Sequence, residues 1–492
     1  MRQTDNLQQL IQQLSTNEKR YFKLWASLKP GDKNYLALFD DLAGSGGYDV
    51  DGLSKHYGGN KAALAHNKEH LKDVLLRSLR NFHEESSIEI KVQNQLAEIE
   101  VLFSKKQFAL CQKKTDKWLA VTIEYEMFPH ALQLLRWHFA IKMRSGENAY
   151  DADALALESR TLKQLENLTL FFQLRHRFAA LIHHEDEKLP GMPDKSFKGL
   201  MQHPLLASPK AALSKTALLL YHNLHSSYAA HVLLDHKRNE KHLYAILHLF
   251  EANPFLFSSN YRMYFSSCDM LCSNALAEGQ NDKALTLITA MEKATERLNN
   301  GLHLQYKNDV LNVASYTKLA ALNFGGQYKA ATQYGEQVLA TKGNLVERRL
   351  PYFDYRFKYL LAHSYFMHGQ YTKALKLCQE LLNENLPGAD EYVYFNRFLF
   401  LLLQYVMGHY STLLHYLKSH SRWCRQNGLT DKAFSTFVLL LRELVKAADN
   451  RKEMKTVIQN HKQEFNKLKD GSAAYRVFTR IAFTEWLESR IK

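Results

Sequence analysis

The stretch Gly369–Leu382, with the sequence GQYTKALKLCQELL, decides which fold we expect for this chain of 492 residues. It follows the segment LLAHSYFMH and precedes NENLPG. Taken alone, it is one helix among many. If it is one copy of a repeated unit, the chain is a repeat array, and such arrays present extended binding surfaces. Further copies would therefore bear on function as well as on fold.

The turn that opens this stretch recurs along the second half of the chain. The letters GQY occur at 326–328 and at 369–371, and an alanine follows each copy three residues later. Looser copies are KRN at 237–239, GQN at 279–281 and GHY at 408–410. The last residues of successive copies are 42, 47, 43 and 39 residues apart. Periods of this size are typical of stacked helix pairs.

The unit around Gly369 resembles the tetratricopeptide repeat. The positions that carry the resemblance are Leu361, Ala362, Tyr365, Gly369, Tyr371 and Ala374. In that family, small residues such as Ala362 and Ala374 let two helices approach closely, and an aromatic residue after the turn fills the gap. The resemblance covers roughly residues 220–425, with steps longer than the usual unit of about 34 residues. It implies a right-handed superhelical array of antiparallel helix pairs, an α-solenoid.

The composition favours an all-α chain. There are only 9 prolines and 21 glycines, and strand-type alternation is scarce. The length exceeds what one compact core accommodates, so several domains or an elongated array are expected.

We expect four segments. A small N-terminal helical domain covers 1–88, and its second helix should begin at a capping box formed by Ser15 and Glu18. A helical region that could consist of degenerate repeats covers 89–187. A junction covers 188–212, where four of the nine prolines lie within twenty residues. The tetratricopeptide-like array, ending in basic helices, covers 213–492.

The net charge of +14 is spread along the chain. Residues 1–90 hold 12 basic and 12 acidic side chains, whereas residues 451–492 hold 10 basic and 5 acidic ones. A diffuse excess favours a solvated basic surface over a nucleic-acid module. The best local candidate for an acidic partner is the C-terminal group Arg451, Lys452, Lys455, Lys462, Lys467 and Lys469.

The sequence predicts a cytoplasmic protein without cofactor or membrane anchor. Its five cysteines are scattered and odd in number, which argues against a disulfide framework and favours a reduced compartment. The N-terminus lacks the apolar core of a secretory signal. The most apolar stretch, at 398–407, is too short to span a bilayer.

The leading hypothesis is a non-enzymatic scaffold or adaptor that binds a protein or peptide partner. By resemblance, the concave groove of such an array holds extended peptides or partner helices, with Arg and Tyr as favourable contacts. In the repeat frame, the residues expected to face this groove are Asp269, Tyr316, Asn323, Arg356, Tyr359 and His363.

Two alternatives come from the N-terminal domain. Residues 50–79 could form a helix-turn-helix that presents Asn60, Lys61 and Lys68 to DNA, which would make the chain a transcriptional regulator with a repeat sensor domain. The neutral charge of this domain counts against it. The second alternative is a zinc-dependent hydrolase that uses the HxxEH pattern at 66–70. These histidines fall opposite the apolar stripe of their helix, and no third ligand is evident, so no metal is expected.

Overall fold

The structure is a computed structural model that describes residues 6–28, 34–44, 53, 61–146, 150–185, 195–298, 303–342, 351–384, 391–426 and 432–467. Within these ranges all regular secondary structure is helical, so the all-α fold class is confirmed. None of the helices in the described ranges is long and apolar enough to cross a membrane.

The chain divides into two compact units. The first unit comprises residues 1–268 and 296–307, and the second comprises residues 269–295 and 308–492. The first unit contains both flanks of the Pro-rich junction at 188–212, of which 188–194 lie outside the described residues. The finer division into four segments stays a prediction.

The first part of the chain contains twelve of the helices, counted over the described residues. They are α1 (Asn6–Gln13), α2 (Thr16–Ser27), α3 (Asn34–Ala43), α4 (Lys61–Phe82), α5 (Ile88–Ser104), α6 (Phe108–Glu124), α7 (Phe128–Ser145), α8 (Ala152–Glu185), α9 (Lys195–Met201), α10 (Pro204–Ala207), α11 (Lys215–Tyr228) and α12 (His236–Ala252). Helices α1 to α4 share one apolar core, and from α5 to α8 each helix packs on the next.

Ten further helices follow in the described residues. They are α13 (Phe257–Ala277), α14 (Asn281–Ala294), α15 (Leu304–Phe324), α16 (Tyr328–Lys342), α17 (Pro351–Met367), α18 (Tyr371–Leu382), α19 (Glu391–Val406), α20 (Tyr410–Gln426), α21 (Lys432–Lys446) and α22 (Arg451–Lys467). From α16 to α22 each helix packs on its neighbour in sequence, and α17 also packs on α19.

The capping box predicted at the start of α2 is confirmed. The Ser15 hydroxyl accepts a hydrogen bond from the Glu18 backbone N–H at 3.3 Å, and the Glu18 carboxylate accepts one from the Ser15 N–H at 2.7 Å. Two of the four backbone donors that a helix start leaves without a partner are satisfied in this way. The same carboxylate contacts buried His83 at 2.7 Å, which ties α2 to the end of α4.

The recurrent glycine turns have one shared backbone geometry. In the turn before α18, the N–H of Gly369 donates to the carbonyl of Phe366 at 3.1 Å, and the N–H of Gln370 donates to that of Tyr365 at 2.8 Å. This is a Schellman motif, in which a residue with positive φ ends the helix. Gly369 has φ +79°, and the same pair of bonds recurs at 279, 326 and 408. The turns that join the helix pairs of the second unit are therefore structurally equivalent.

The prediction of a further copy of this turn at 237–239 is wrong. Those residues lie inside α12, whose N-cap is Asp235. The residue with positive φ in that region is Leu234, at +53°, and it follows a π-helical turn over Ala229–Leu233. The wider π turn moves the end of the preceding helix away from the position that the repeat spacing predicts.

Helices of the second unit pack closely where small residues occur. Ala362, Ala374 and Cys378 are fully buried between α17 and α18. At Gly335 in α16, an added Cβ would lie 2.5 Å from Cδ1 of buried Leu361. Glycine is needed there because the two helices leave no room for a methyl group.

We expect Gly335→Ala to destabilise the second unit by about 2 kcal/mol, even though alanine is the better helix former. The matched change Gly199→Ala in α9 meets no atom within 4 Å and should instead stabilise by about 0.5–1 kcal/mol. Circular dichroism melts of both variants, with hydrogen exchange across α16, measure the two effects. Equal shifts of the same sign would contradict the close contact.

Candidate functional site

The structure brings together five of the six residues predicted to bind a partner. Tyr316 and Asn323 lie on α15, and Arg356, Tyr359 and His363 lie on α17. The sixth, Asp269, lies on α13 outside this group, and burial raises the pKa of its carboxyl group. The five lie close together because α15 contacts α17 through the hydrogen bonds of Asn323 to Leu360, His363 and Ser364.

Tyr392 at the start of α19 is the centre of this inner cluster, which we define as Tyr316, Arg356, Tyr359, His363 and Tyr392. The Tyr392 hydroxyl is 2.5 Å from that of Tyr316. The Arg356 guanidinium lies 4.8 Å from the centre of the Tyr392 ring, and the Tyr359 ring lies 5.5 Å from it. Aromatic side chains of the chain itself therefore occupy this face.

Asn323 makes four hydrogen bonds, of which three connect α15 to α17. Its side-chain oxygen accepts from His363 Nδ1 at 3.1 Å and from the Ser364 hydroxyl at 3.0 Å. Its amide donates to the carbonyls of Leu319 at 2.9 Å and Leu360 at 3.3 Å. Only 3% of Asn323 is exposed. This residue meets the hydrogen-bonding requirements of a buried amide within the chain itself.

Exposure divides the predicted positions into two groups. Asn323, Tyr359 and His363 are buried, whereas Asp269, Tyr316 and Arg356 are partly accessible. The partner-binding role assigned to all six from the sequence stays a prediction.

A more open site lies among α18, α19 and α20, and we call it the outer cleft. It has a volume of about 500 Å³. Helices α19 and α20 contribute three lining residues each, and the other three come from α18 and its C-cap residue Asn383. Its polar lining consists of Gln379, Asn383, Arg397, Tyr416, Ser419 and His420. Its apolar lining consists of Leu382, Phe400 and Leu401.

Arg397 and His420 form one wall of the outer cleft, and both contact the indole of Trp423. The Arg397 guanidinium lies 4.2 Å from the centre of the Trp423 ring, and the His420 ring stacks on the same indole at 6.1 Å. Burial, with a smaller contribution from the positive charge of Arg397, lowers the pKa of His420 to about 4. His420 is therefore neutral near pH 7, and Arg397 is the cation of this wall.

The local charge of the sequence around this site is positive. Residues 392–430 contain no Asp or Glu but contain four cationic side chains, Arg397, Lys418, Arg422 and Arg425. The net charge of a longer block does not reveal this segment, because acidic residues on either side of it offset its positive charge. A window of the size of two helices would have found it.

The HxxEH pattern lies on the exposed face of α4. His66, Glu69 and His70 are all exposed, Glu69 pairs with Lys72, and His70 packs on the edge of Tyr35. Across the described ranges, no three His, Cys, Asp or Glu side chains are grouped so as to hold a metal ion. For the helix-turn-helix alternative, Lys61 and Lys68 lie on α4, while Asn60 and most of the preceding turn lie outside the described residues.

Three histidines form a separate cluster in the first unit. His222 and His242 approach through their Nδ1 atoms at 3.0 Å, and the rings of His225 and His242 stack at 5.0 Å. Burial, with a further contribution from neighbouring positive charges, lowers the pKa of both His222 and His242 to about 4. These groups pack α11 against α12 in their neutral form.

This cluster predicts acid sensitivity of the first unit. A lowered pKa in the folded state means that protons favour the unfolded state, so stability is complete above the usual histidine pKa near 6.5 and falls as the pH decreases toward 4. We expect hydrogen exchange in α11 and α12 to show a loss of about 2 kcal/mol between pH 7 and pH 5. The double change His222→Gln and His242→Gln should flatten this dependence, and His66→Gln should not. An unchanged pH profile in the double variant would contradict the assignment.

No protein-family model matches the chain, and no curated protein matches it with significant similarity. Function is therefore inferred below from the residues and their geometry.

Proposed function

We propose that this chain is a non-enzymatic, tetratricopeptide-like scaffold that binds a partner protein through its second unit. The equivalent Schellman turns and the sequential packing from α16 to α22 support a solenoid of helix pairs with right-handed superhelical twist. The buried thiols of Cys111, Cys272 and Cys378 suit a reducing compartment such as the cytoplasm.

The outer cleft is the observation that carries this proposal. It crosses three consecutive helices and combines apolar side chains with hydrogen-bonding groups, as binding sites for protein segments do. Tyr416, which is 40% exposed, provides a rigid aromatic contact at its edge. The inner cluster is largely filled by its own side chains, so the cleft offers more accessible surface.

Quantitative affinity capture with the full chain tests the proposal. Tyr416→Ala should lose the captured partner by about tenfold, which corresponds to about 1.4 kcal/mol of binding free energy. The control Tyr150→Ala removes a 72% exposed tyrosine of the first unit and should capture the same partner in full. If both variants capture the same proteins as the wild type, the outer cleft is not the binding surface.

The tyrosine change should leave the fold intact, because Tyr416 is exposed and contacts Phe400 only at the edge, with ring centres 4.9 Å apart. Thermal unfolding of each variant checks this. A variant that loses the partner while keeping its melting temperature places the effect in binding.

A further inference from the structure

We infer that the outer cleft recognises carboxylate side chains, so that its partner is an acidic protein segment that also carries apolar residues. This inference rests on the proposed function and specifies the chemistry of the partner at the same site. Four observations support it: the sign of the charge, the orientation of the arginine, the polar lining and the apolar floor.

Among the described side chains that line the outer cleft, the charge has one sign. None of the described residues that line it is acidic, and Arg397 is cationic. Glu384, which follows the lining residue Asn383, already binds Lys358 at 2.8 Å. A ligand with negative charge would therefore meet the positive charge of Arg397, with no carboxylate among the described lining residues.

Helix α20 carries further positive charge outside the cleft. Lys418, Arg422 and Arg425 are exposed and follow one another at i, i+4 and i+7, so they form one stripe on the helix. At about 100° per residue, the stripe lies on the side of α20 away from Tyr416, and of its three members Arg422 is nearest to Ser419. Such a row of like charges raises the local concentration of an acidic segment and its rate of association.

The position of Arg397 suits a carboxylate. Its guanidinium lies over the Trp423 ring at 4.2 Å, which holds a planar group in a preferred orientation. An oriented guanidinium can donate two parallel hydrogen bonds to one carboxylate. The amides of Gln379 and Asn383 and the hydroxyl of Ser419 add neutral donors on the other two helices.

The apolar floor favours a protein segment over a nucleic acid. Leu382, Phe400 and Leu401 line the cleft beside its single arginine, and Phe400 and Leu401 are buried beneath the surface. Binding to a phosphate backbone relies on several cations in register with successive phosphates. A peptide in which acidic residues alternate with Leu or Phe matches both kinds of lining.

A cleft in the first unit provides a contrast. It has a similar volume, about 540 Å³, but Glu100 and Arg136 both line it, so its charges have opposite signs. The two clefts therefore differ little in volume. The outer cleft differs in that its charged lining residue is an arginine without an acidic residue beside it in the described lining.

Fluorescence anisotropy with the full chain tests this inference. The probes are a short fluorescein-labelled peptide of Glu, Asp, Leu and Phe, the same peptide with Lys and Arg in place of the acidic residues, and a labelled deoxythymidine oligonucleotide. We expect the acidic peptide to bind with a Kd below about 100 μM at low ionic strength and to weaken with added salt. The basic peptide and the oligonucleotide should bind at least about tenfold more weakly.

Two pairs of variants locate the binding. Ser419→Glu adds a negative charge at an exposed lining position and should weaken the acidic peptide by about tenfold, whereas Ser411→Glu, exposed on the same helix outside the cleft, should not. Arg397→Gln should have an effect like that of Ser419→Glu, and the exposed Arg442→Gln on α21 should have none. Because Ser419 is exposed, its variant tests the inference even if Arg397→Gln is unstable.

Each outcome decides between the alternatives. Equal binding of the acidic peptide to all four variants would overturn the inference, as would absence of binding to the wild type. Oligonucleotide binding that depends on Arg397, without peptide binding, would overturn it in favour of a phosphate ligand. If Tyr416→Ala still loses a captured partner in these cases, the proposed function stands and only the acidic chemistry of the partner is wrong.

Discussion

Replacing Phe398 by alanine is expected to cost the second unit about 4 kcal/mol of unfolding free energy, the largest effect of any change considered for this chain. Phe398 is fully buried in α19. Its ring lies 4.6 Å from Phe437 on α21 and 4.9 Å from His420 on α20. Removal of the ring leaves a cavity among three helices and withdraws the support beneath one wall of the outer cleft.

Hydrogen exchange over α19, α20 and α21 measures this loss, because a chain with two units need not unfold in one step. Leu439→Ala is the control: Leu439 lies on α21 and is 49% exposed, so its truncation should cost less than about 0.5 kcal/mol. A Phe398→Ala variant as stable as the Leu439→Ala variant would show that α19 is not packed as described.

The second large effect is expected at Asn323. Replacement by alanine should destabilise the second unit by about 3 kcal/mol, because four hydrogen bonds are lost at a side chain that is 3% exposed. The change also deprives buried groups on α15 and α17 of the partner they have in the wild type. A residue that only contacted a binding partner would not affect the stability of the isolated chain.

A variant with a smaller expected effect helps to distinguish a structural role of Asn323 from a role in binding a partner. Ser364→Ala removes one of the four bonds, and Asn323 still accepts from His363, so the loss should be about 1 kcal/mol. Chemical denaturation followed by circular dichroism, with exchange of the amides of α15 and α17, gives both values. Wild-type stability of Asn323→Ala, combined with loss of a captured partner, would restore the groove role predicted from the sequence.

The fold class and the recurring turns were predictable because they depend on local chemistry. The Gly369 and Gly326 turns need a residue with positive φ at the end of a helix, and glycine adopts it without strain. The capping box at Ser15 and Glu18 is likewise a contact between residues three positions apart. Both features join residues that are close in sequence, so a short segment is enough to predict them.

The turn wrongly predicted at 237–239 shows the limit of prediction from local sequence. The structure places a non-glycine residue, Leu234, in the left-handed region after a π turn. Neither the leucine nor the π turn has a sequence signature. The repeat spacing alone therefore moved the predicted turn into α12.

The six residues predicted to bind a partner do not line the outer cleft, and their binding role stays a prediction. The structure places Tyr316 on α15 and Arg356 and Tyr359 on α17, where the repeat frame predicted that they would lie close together. The repeat frame did not include Tyr392, whose ring meets all three and fills the space between α15 and α17. How far a groove is open depends on the curvature of the whole array, which no single unit encodes.

The outer cleft could have been noticed from the absence of acidic residues over 392–430, but its walls could not. Gln379, Arg397 and Ser419 lie on three different helices, and only their packing brings them to one surface. A charge pattern in sequence indicates the sign of a partner and leaves the shape of the site to the tertiary structure.

Site-specific photocrosslinking tests the central claim most directly. A benzoylphenylalanine replaces either Tyr416, at the edge of the outer cleft, or Tyr316, in the inner cluster, and each full-length variant is irradiated in cells. We predict a crosslinked partner from position 416, with an acidic segment at the crosslink identified by mass spectrometry, and none from position 316. A partner crosslinked from 316 and not from 416 would contradict the assignment of the outer cleft as the binding surface.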